Sequence, residues 1–254
     1  MKNTKINYQQ REFHIFVAQA FPLLIKSKEE GDKETFNTLI LKILPSIKKY
    51  VNQRLVAAIS KGHFPKNKYN ANDFIDQLFV EVYENINEVK KADNFYLWLF
   101  KKADQLLENT IEEEEFDELF FKNIDDFSKP EWNEMEEKFS ADAEGDLLMM
   151  DELDDSSYHK NNYTLNHVFV KDEEQNYIDK LDKELDETTT QRHIQMILHK
   201  LPTNMQSVFE LSSEYKFNLD EISTIKGITK EKISKLIEDT RSKLRKSFFS
   251  RYLS

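Results

Sequence analysis

The sequence predicts an all-α protein made of two helical domains joined by a long acidic connector. Three observations carry that expectation. The 254 residues include only four glycines and five prolines, too little turn material for the hairpins of a β fold. Apolar residues recur at helical spacing toward both ends of the chain. The net charge of -11 is unevenly distributed. Residues 112–187 hold 27 acidic against 7 basic side chains, residues 1–111 hold 17 basic against 13 acidic, and residues 188–254 hold 12 basic against 7 acidic. The expected boundaries are therefore 1–111, 112–187 and 188–254, two mildly basic domains around an anionic link.

In the first domain, Phe13, Phe16, Val17 and Ala20 mark an amphipathic helix. Phe36, Leu39, Ile40, Ile43 and Leu44 begin a second, expected to break or bend near Pro45 because proline removes a donor and crowds the preceding turn. After the turn-rich stretch KGHFPKNKYN comes a third helix, with Asn72 as its expected cap and Phe74, Leu78 and Val82 along one stripe and Ile75, Phe79 and Ile86 along another. A polar turn leads to a fourth helix, in which Phe95, Trp98, Leu99 and Leu106 supply bulk for a core. The connector interleaves its carboxylates with Phe116, Phe120, Phe121, Phe127, Trp132 and Phe139, and its GDLLMMDEL segment has the composition of a short helix. A solvating acidic tether and an autoinhibitory cover over the basic faces both fit that composition.

The C-terminal domain reads as a helix-turn-helix preceded by a packing helix. Leu219, Ile222 and Ile225 fall on one face of a short helix with Asp220 and Glu221 at its positive end. Gly227 ends it, because glycine adopts the left-handed conformation a C-cap needs. Ile228 plugs the corner and Thr229 caps the next helix, whose Ile233, Leu236, Ile237, Thr240 and Leu244 face inward. Glu231, Lys235, Glu238, Ser242 and Arg245 point away. Two helices across a short glycine turn, the second polar outside, form the architecture that enters a DNA major groove; a bland helical hairpin shares the spacing.

The absence of cysteine excludes disulfides, thiolate chemistry and cysteine zinc sites. The acidic DELDDSS run lacks the spacing of a calcium loop, and the six histidines form no metalloprotease pattern. No glycine-rich phosphate loop occurs. No catalytic residue, metal or cofactor is expected, and the chain reads as a non-enzyme. The first residues lack the apolar centre of a signal peptide, and no run approaches the roughly 18 apolar residues of a membrane helix. A cytoplasmic protein with no membrane partner is expected.

The string DFIDQLFVEVY followed by FYLWLFKKADQLL resembles region 2 of the main bacterial sigma-factor family. The pattern from Leu201-Pro202 through Val208-Phe209, Glu221-Ile222, Ile233, Arg241, Leu244 and Arg245 resembles its region 4. Two regions without a middle domain resemble the extracytoplasmic-function group. That resemblance implies a dissociable subunit of core RNA polymerase that directs initiation at promoter DNA. Asp73, Phe74, Asp76, Gln77, Val80 and Glu81 would bind the polymerase. Phe95, Tyr96, Trp98, Lys101 and Lys102 would hold the opened minus-ten strand, a task that needs aromatic surfaces and cations. Core packing is the competing role for Phe95 and Trp98. Lys230, Lys232, Ser234 and Lys235 would meet the groove, with Arg241, Lys243 and Arg245 on phosphates or polymerase.

Two departures from the family pattern bear on this. Asp104, Glu108 and Glu112 to Glu115 stand where the family usually carries cations, and carboxylates repel phosphates. From Thr229 to Asp239 three lysines and three acids cancel. These departures weaken autonomous DNA binding, so the expectation is an alternative sigma factor for which a separate protein can supply part of the DNA targeting. The alternative is a sigma-like module that sequesters an anti-sigma factor.

Overall fold

The computed structural model describes residues 2–65, 68–125, 163–169 and 174–253, with backbone alone over 2–12 and 117–125. Among these residues the regular structure is entirely helical. Helices α1 (Lys2–Glu30), α2 (Lys33–Ser60), α3 (Ala71–Asn85) and α4 (Phe95–Asp125) form the first bundle, with short 3-10 turns Ile86–Glu88 and Ala92–Asn94 between the last two. The second group is α5 (Leu165–Val168), α6 (Gln175–Glu184), α7 (Glu187–His199), α8 (Thr203–Ser213), α9 (Leu219–Lys226) and α10 (Lys230–Tyr252).

Helix α2 runs through Pro45 without the expected interruption. The carbonyl that proline leaves without a donor lies at Leu41, which is exposed together with Pro45, so water can satisfy it. The N-cap of α3 is Asn70, not Asn72. Its side chain accepts from the Asn72 N–H at 3.0 Å, and Asp73 reciprocates by accepting from the Asn70 N–H at 2.8 Å. Phe74, Leu78, Val82 and Ile86 are buried as their spacing predicts.

The burial pattern departs from two separate cores tied by a link. The inner faces of α1 to α4 form a single apolar cluster that continues into Val208, Leu211, Tyr215, Phe217, Ile222, Ile225, Ile233 and Ile237 of the C-terminal lobe. Aromatic rings make the junction. Phe100 meets Tyr215 at 4.9 Å and Phe217 at 5.0 Å between centroids, and Tyr96 stacks on Phe217 at 5.6 Å. A second cluster holds Tyr163, Leu165, Val168, Phe169, Ile178, Leu181, Ile194, Leu198, Phe209, Leu244 and Phe248.

Both ends of the acidic stretch are thus folded into the structure. Helix α4 continues to Asp125, and residues 163–169 with α6 pack onto α10, where Phe169 meets Phe248 and Phe249 at 6.0 Å. The apolar residues interleaved among the carboxylates explain this, since each buried side chain of this kind contributes about 1.5–3 kcal/mol. Of the connector aromatics, Phe116 is exposed. The GDLLMMDEL segment, Phe127, Trp132 and Phe139 lie outside the described residues, as do the side chains of Phe120 and Phe121.

Candidate functional site

Local sequence builds the helix-turn-helix. Asn218 and Glu221 make a reciprocal capping box, with the Asn218 N–H donating to Glu221 at 2.7 Å and the Glu221 N–H to Asn218 at 3.0 Å. Gly227 closes α9 at φ 65, where its N–H reaches the Ser223 carbonyl at 2.9 Å. The Ser223 hydroxyl donates across the corner to the Ile228 carbonyl at 2.6 Å. Thr229 caps α10, accepting from the Lys232 N–H at 3.4 Å. Ile222, Ile225, Ile233 and Ile237 fill the space between the helices. Leu219, expected inside, is 40% exposed at the first helical position, where it borders an open hollow beside Ser234 and Ile237.

The outer face of α10 is open at its N-terminal half. Lys230, Lys232, Ser234 and Lys235 are all exposed, as are Glu231, Glu238 and Asp239. Lys230 already pairs with Asp220 across the turn. Toward the other end the cations diverge. Lys243 is exposed, whereas Arg241 and Arg245 are half-buried. The Arg241 Nε–H donates to the His167 carbonyl at 3.2 Å, and Arg245 donates to both oxygens of Glu174 at 3.2 and 3.3 Å and to Glu238. Arg245, expected to point freely outward, is held because Glu174 lies against this end of α10, next to where residues 163–169 pack. Arg245 must exchange a protein carboxylate to reach a phosphate, whereas Arg241 engages only its Nε–H.

In α3 the spacing of Asp73, Asp76, Gln77 and Val80 gives one exposed face, with Val80 54% exposed. Phe74 is buried beneath it and supports that face from inside. Glu81 sits at the edge and accepts from Lys102 at 2.6 Å.

The aromatic candidates divide by helical period. Phe95 and Tyr96 turn into the core, Phe95 beside Phe21 at 5.1 Å and Tyr96 covered by Phe217. Neither ring is available to an unstacked base while the lobes are docked. Trp98 is half-exposed and donates its Nε1–H to Glu88 at 3.3 Å, with the Lys102 ammonium 5.3 Å from its ring centre. Lys102 also reaches Glu88 at 3.3 Å, and Lys101 is half-buried.

A cluster of buried charge lies where the lobes meet, and sequence spacing did not reveal it. The Lys226 ammonium, its side chain 5% exposed, lies 2.9 Å from both Asp104 and Glu108. Arg54, 2% exposed, pairs with Glu108 and lies 3.6 Å from Asp104. The Tyr50 hydroxyl donates to Asp104 at 2.6 Å. Burial opposes charge on Arg54, yet Tyr50, Asp104 and Glu108 together hold its pKa above the ordinary range. Burial likewise works against charge on Glu108, and Lys226 and Arg54 overcome it and lower the pKa. The available signals were an arginine set among Val51, Leu55 and Ala58, and carboxylates at 104 and 108 where cations were expected. Further along α4, Glu114 pairs with Lys68 and Tyr69, and Glu115 meets His63 at 2.9 Å.

Among the described residues no group of three or more His, Cys, Asp or Glu is placed to hold a metal ion, and no helix is long and apolar enough to cross a membrane. Residues 197–246 match the family model described as Sigma-70, region 4. The matched stretch begins in α7 and takes in α8, α9 and most of α10, and it supports a factor of the sigma-70 family with a DNA-binding helix-turn-helix. No curated protein matches the chain.

Proposed function

We propose that the protein is a cytoplasmic sigma-type initiation factor that binds core RNA polymerase and presents α9 and α10 to promoter DNA. The observation that carries the reading is a helix-turn-helix with both caps and its glycine corner in place, inside the segment that matches region 4. The reading assigns residues 1–111 to a region 2-like lobe, 188–254 to a region 4-like lobe and 112–187 to the link. The exposed Asp76, Gln77 and Val80 of α3 supply a mixed polar and apolar face for the polymerase, which suits an interface core rimmed by polar groups. Lys232, Ser234 and Lys235 supply groove contacts, and the solvent-facing Lys243 a phosphate contact.

Immobilised full-length protein is expected to retain purified core polymerase at low salt. A Gln77→Glu/Val80→Glu variant, altered only at exposed positions, should lose that retention by about tenfold or more, the scale of a central interface residue. Undiminished retention by the variant would remove α3 from the interface. Capture of a small regulator with no polymerase would instead support sequestration.

The pairing of Arg245 with Glu174 and Glu238 gives a second expectation. Replacing both Glu174 and Glu238 with glutamine removes the two carboxylates that hold Arg245, so duplex DNA binding should tighten and its logarithmic salt slope should steepen by about one. Fluorescence anisotropy across a salt series measures both. An unchanged slope would show that Arg245 serves the fold alone.

A further inference from the structure

The turn between α8 and α9 holds a lysine in an unfavourable place. Lys216 has a backbone φ of 59, in the left-handed region that favours glycine. The Phe217 N–H reaches the Leu211 carbonyl at 3.1 Å and the Tyr215 N–H the Glu210 carbonyl at 3.3 Å, so Lys216 occupies the closing position of α8, where glycine is the usual residue. The side chain that replaces glycine there makes a single hydrogen bond among the described residues. Its Nζ lies 2.8 Å from Nε2 of His167.

The direction of that bond is fixed from the other side of the ring. The Thr164 backbone N–H donates to His167 Nδ1 at 3.1 Å, as one half of the capping box of α5. A backbone N–H can only donate, so Nδ1 carries a lone pair. The imidazole is therefore neutral, with its proton on Nε2. An ammonium has three N–H bonds and no lone pair, so a charged Lys216 would set two donors against each other across 2.8 Å. The contact closes when Lys216 is the neutral amine and accepts from the Nε2–H. The surroundings act in the same sense. Burial of the nitrogen lowers the Lys216 pKa, with Glu214 opposing it, and Glu214 is itself engaged by Lys49 and Gln53. Burial is also the largest cause that lowers His167 to about 3, so neither partner takes up a proton readily.

A neutral lysine amine is a nucleophile and an ammonium is not. Residue 216 is exposed, so a small electrophile can reach it. Arg241 engages the His167 carbonyl through Nε at 3.2 Å and retains four further N–H bonds, which places a counter-charge for phosphate on the same histidine. We propose that Lys216 is a site of direct acylation by small acyl phosphates, its amine kept in the nucleophilic form by His167. The Nζ lone pair leaves the Nε2–H and attacks the acyl carbon. The N–C bond forms as the C–O bond to phosphate breaks, and the surplus amine proton leaves with the phosphate. In the product the nitrogen lone pair is delocalised into the amide, so it no longer accepts from His167. This inference is independent of the DNA-binding reading.

The test exposes the full chain to acetyl phosphate at neutral pH and follows each lysine by peptide mass spectrometry. Lys232, Lys235 and Lys243, exposed on α10, serve as internal standards. Lys216 should be acetylated about tenfold faster than they are, and His167→Leu, which removes the N–H that favours the amine, should bring its rate to theirs. In isotope-labelled native protein, long-range proton–nitrogen correlations should place the His167 proton on Nε2. Acetylation of Lys216 no faster than of the α10 lysines, an unchanged rate in a folded His167→Leu chain, or a proton on Nδ1 would each overturn the assignment. If circular dichroism showed that His167→Leu had lost its helices, the two readouts on native protein would decide.

Discussion

Phe100→Ala is expected to cost about 3–5 kcal/mol in a denaturant titration, the range for removing a fully buried aromatic. Phe100 is 0% exposed, and its ring meets Tyr50, Tyr96, Tyr215 and Phe217 at 4.9 to 5.2 Å. Two of those partners belong to each lobe, so the cavity opens at the junction itself. The loss should therefore appear both in global stability and in the near-ultraviolet signal of the surrounding tyrosines. Phe116→Ala, at a ring that is 62% exposed, should stay within about 0.5 kcal/mol. Similar small losses for both variants would show that the lobes do not share a core.

Glu210→Gln is expected to change how stability depends on pH. Glu210 lies fully inside the structure, and burial raises its pKa to about 7, with Glu214 adding to the rise and the Gln206 amide, Arg54 and Lys61 opposing it. Tyr50, Tyr163 and Tyr215 are the other titratable groups coupled to it. The folded value exceeds the ordinary 4.5. Glu210's contribution is therefore fully present below about pH 4.5 and is lost as pH rises toward about 7, amounting to about 3 kcal/mol by linkage. His167 and His193 work in the opposite direction. Burial lowers His167 to about 3, helped by Lys216 and Arg241, and His193 to about 4, helped by Arg251 and Lys200, so both lose stability as pH falls below the ordinary 6.5. The informative quantity is the difference between wild type and Glu210→Gln. The variant should become progressively more stable than wild type between about pH 4.5 and about 7, and a difference that is flat with pH would place Glu210 in solvent.

Features of the chain that depend on local chemistry were legible in the sequence. Gly227 and Thr229 define the corner because a left-handed C-cap and a hydroxyl N-cap each involve residues within one turn. The inward rows of α3 and α10 follow from helical period alone. The Asn218–Glu221 box obeys the same rule with asparagine in place of a hydroxyl. What could not be read depends on long separation. Asp104 and Lys226 stand 122 residues apart, and no periodicity within α4 indicates that a carboxylate there will be buried against a lysine of α9. Tyr96 is covered for the same reason, since Phe217 belongs to another lobe. Arg245 looked free because its partner Glu174 lies in a stretch whose composition suggested a solvated link, while Phe169, Ile178 and Leu181 anchor that stretch to the C-terminal lobe.

The carboxylates that stand where the region 2 resemblance led one to expect cations have a structural role in this arrangement. At 104 and 108 they complete an interlobe charge cluster, and at 114 and 115 they secure the loop before α3. A strand-binding surface would keep its cations in solvent. Here the two lobes direct opposite charges at each other, Lys226 toward Asp104 and Glu108 and Glu214 toward Lys49.

Run-off transcription with purified core polymerase on genomic fragments tests the initiation role most directly. Discrete transcripts that depend on the added protein, and that disappear with Gln77→Glu/Val80→Glu, are the expected result. Core polymerase that yields the same products with and without the protein, under salt conditions that permit their association, would contradict it.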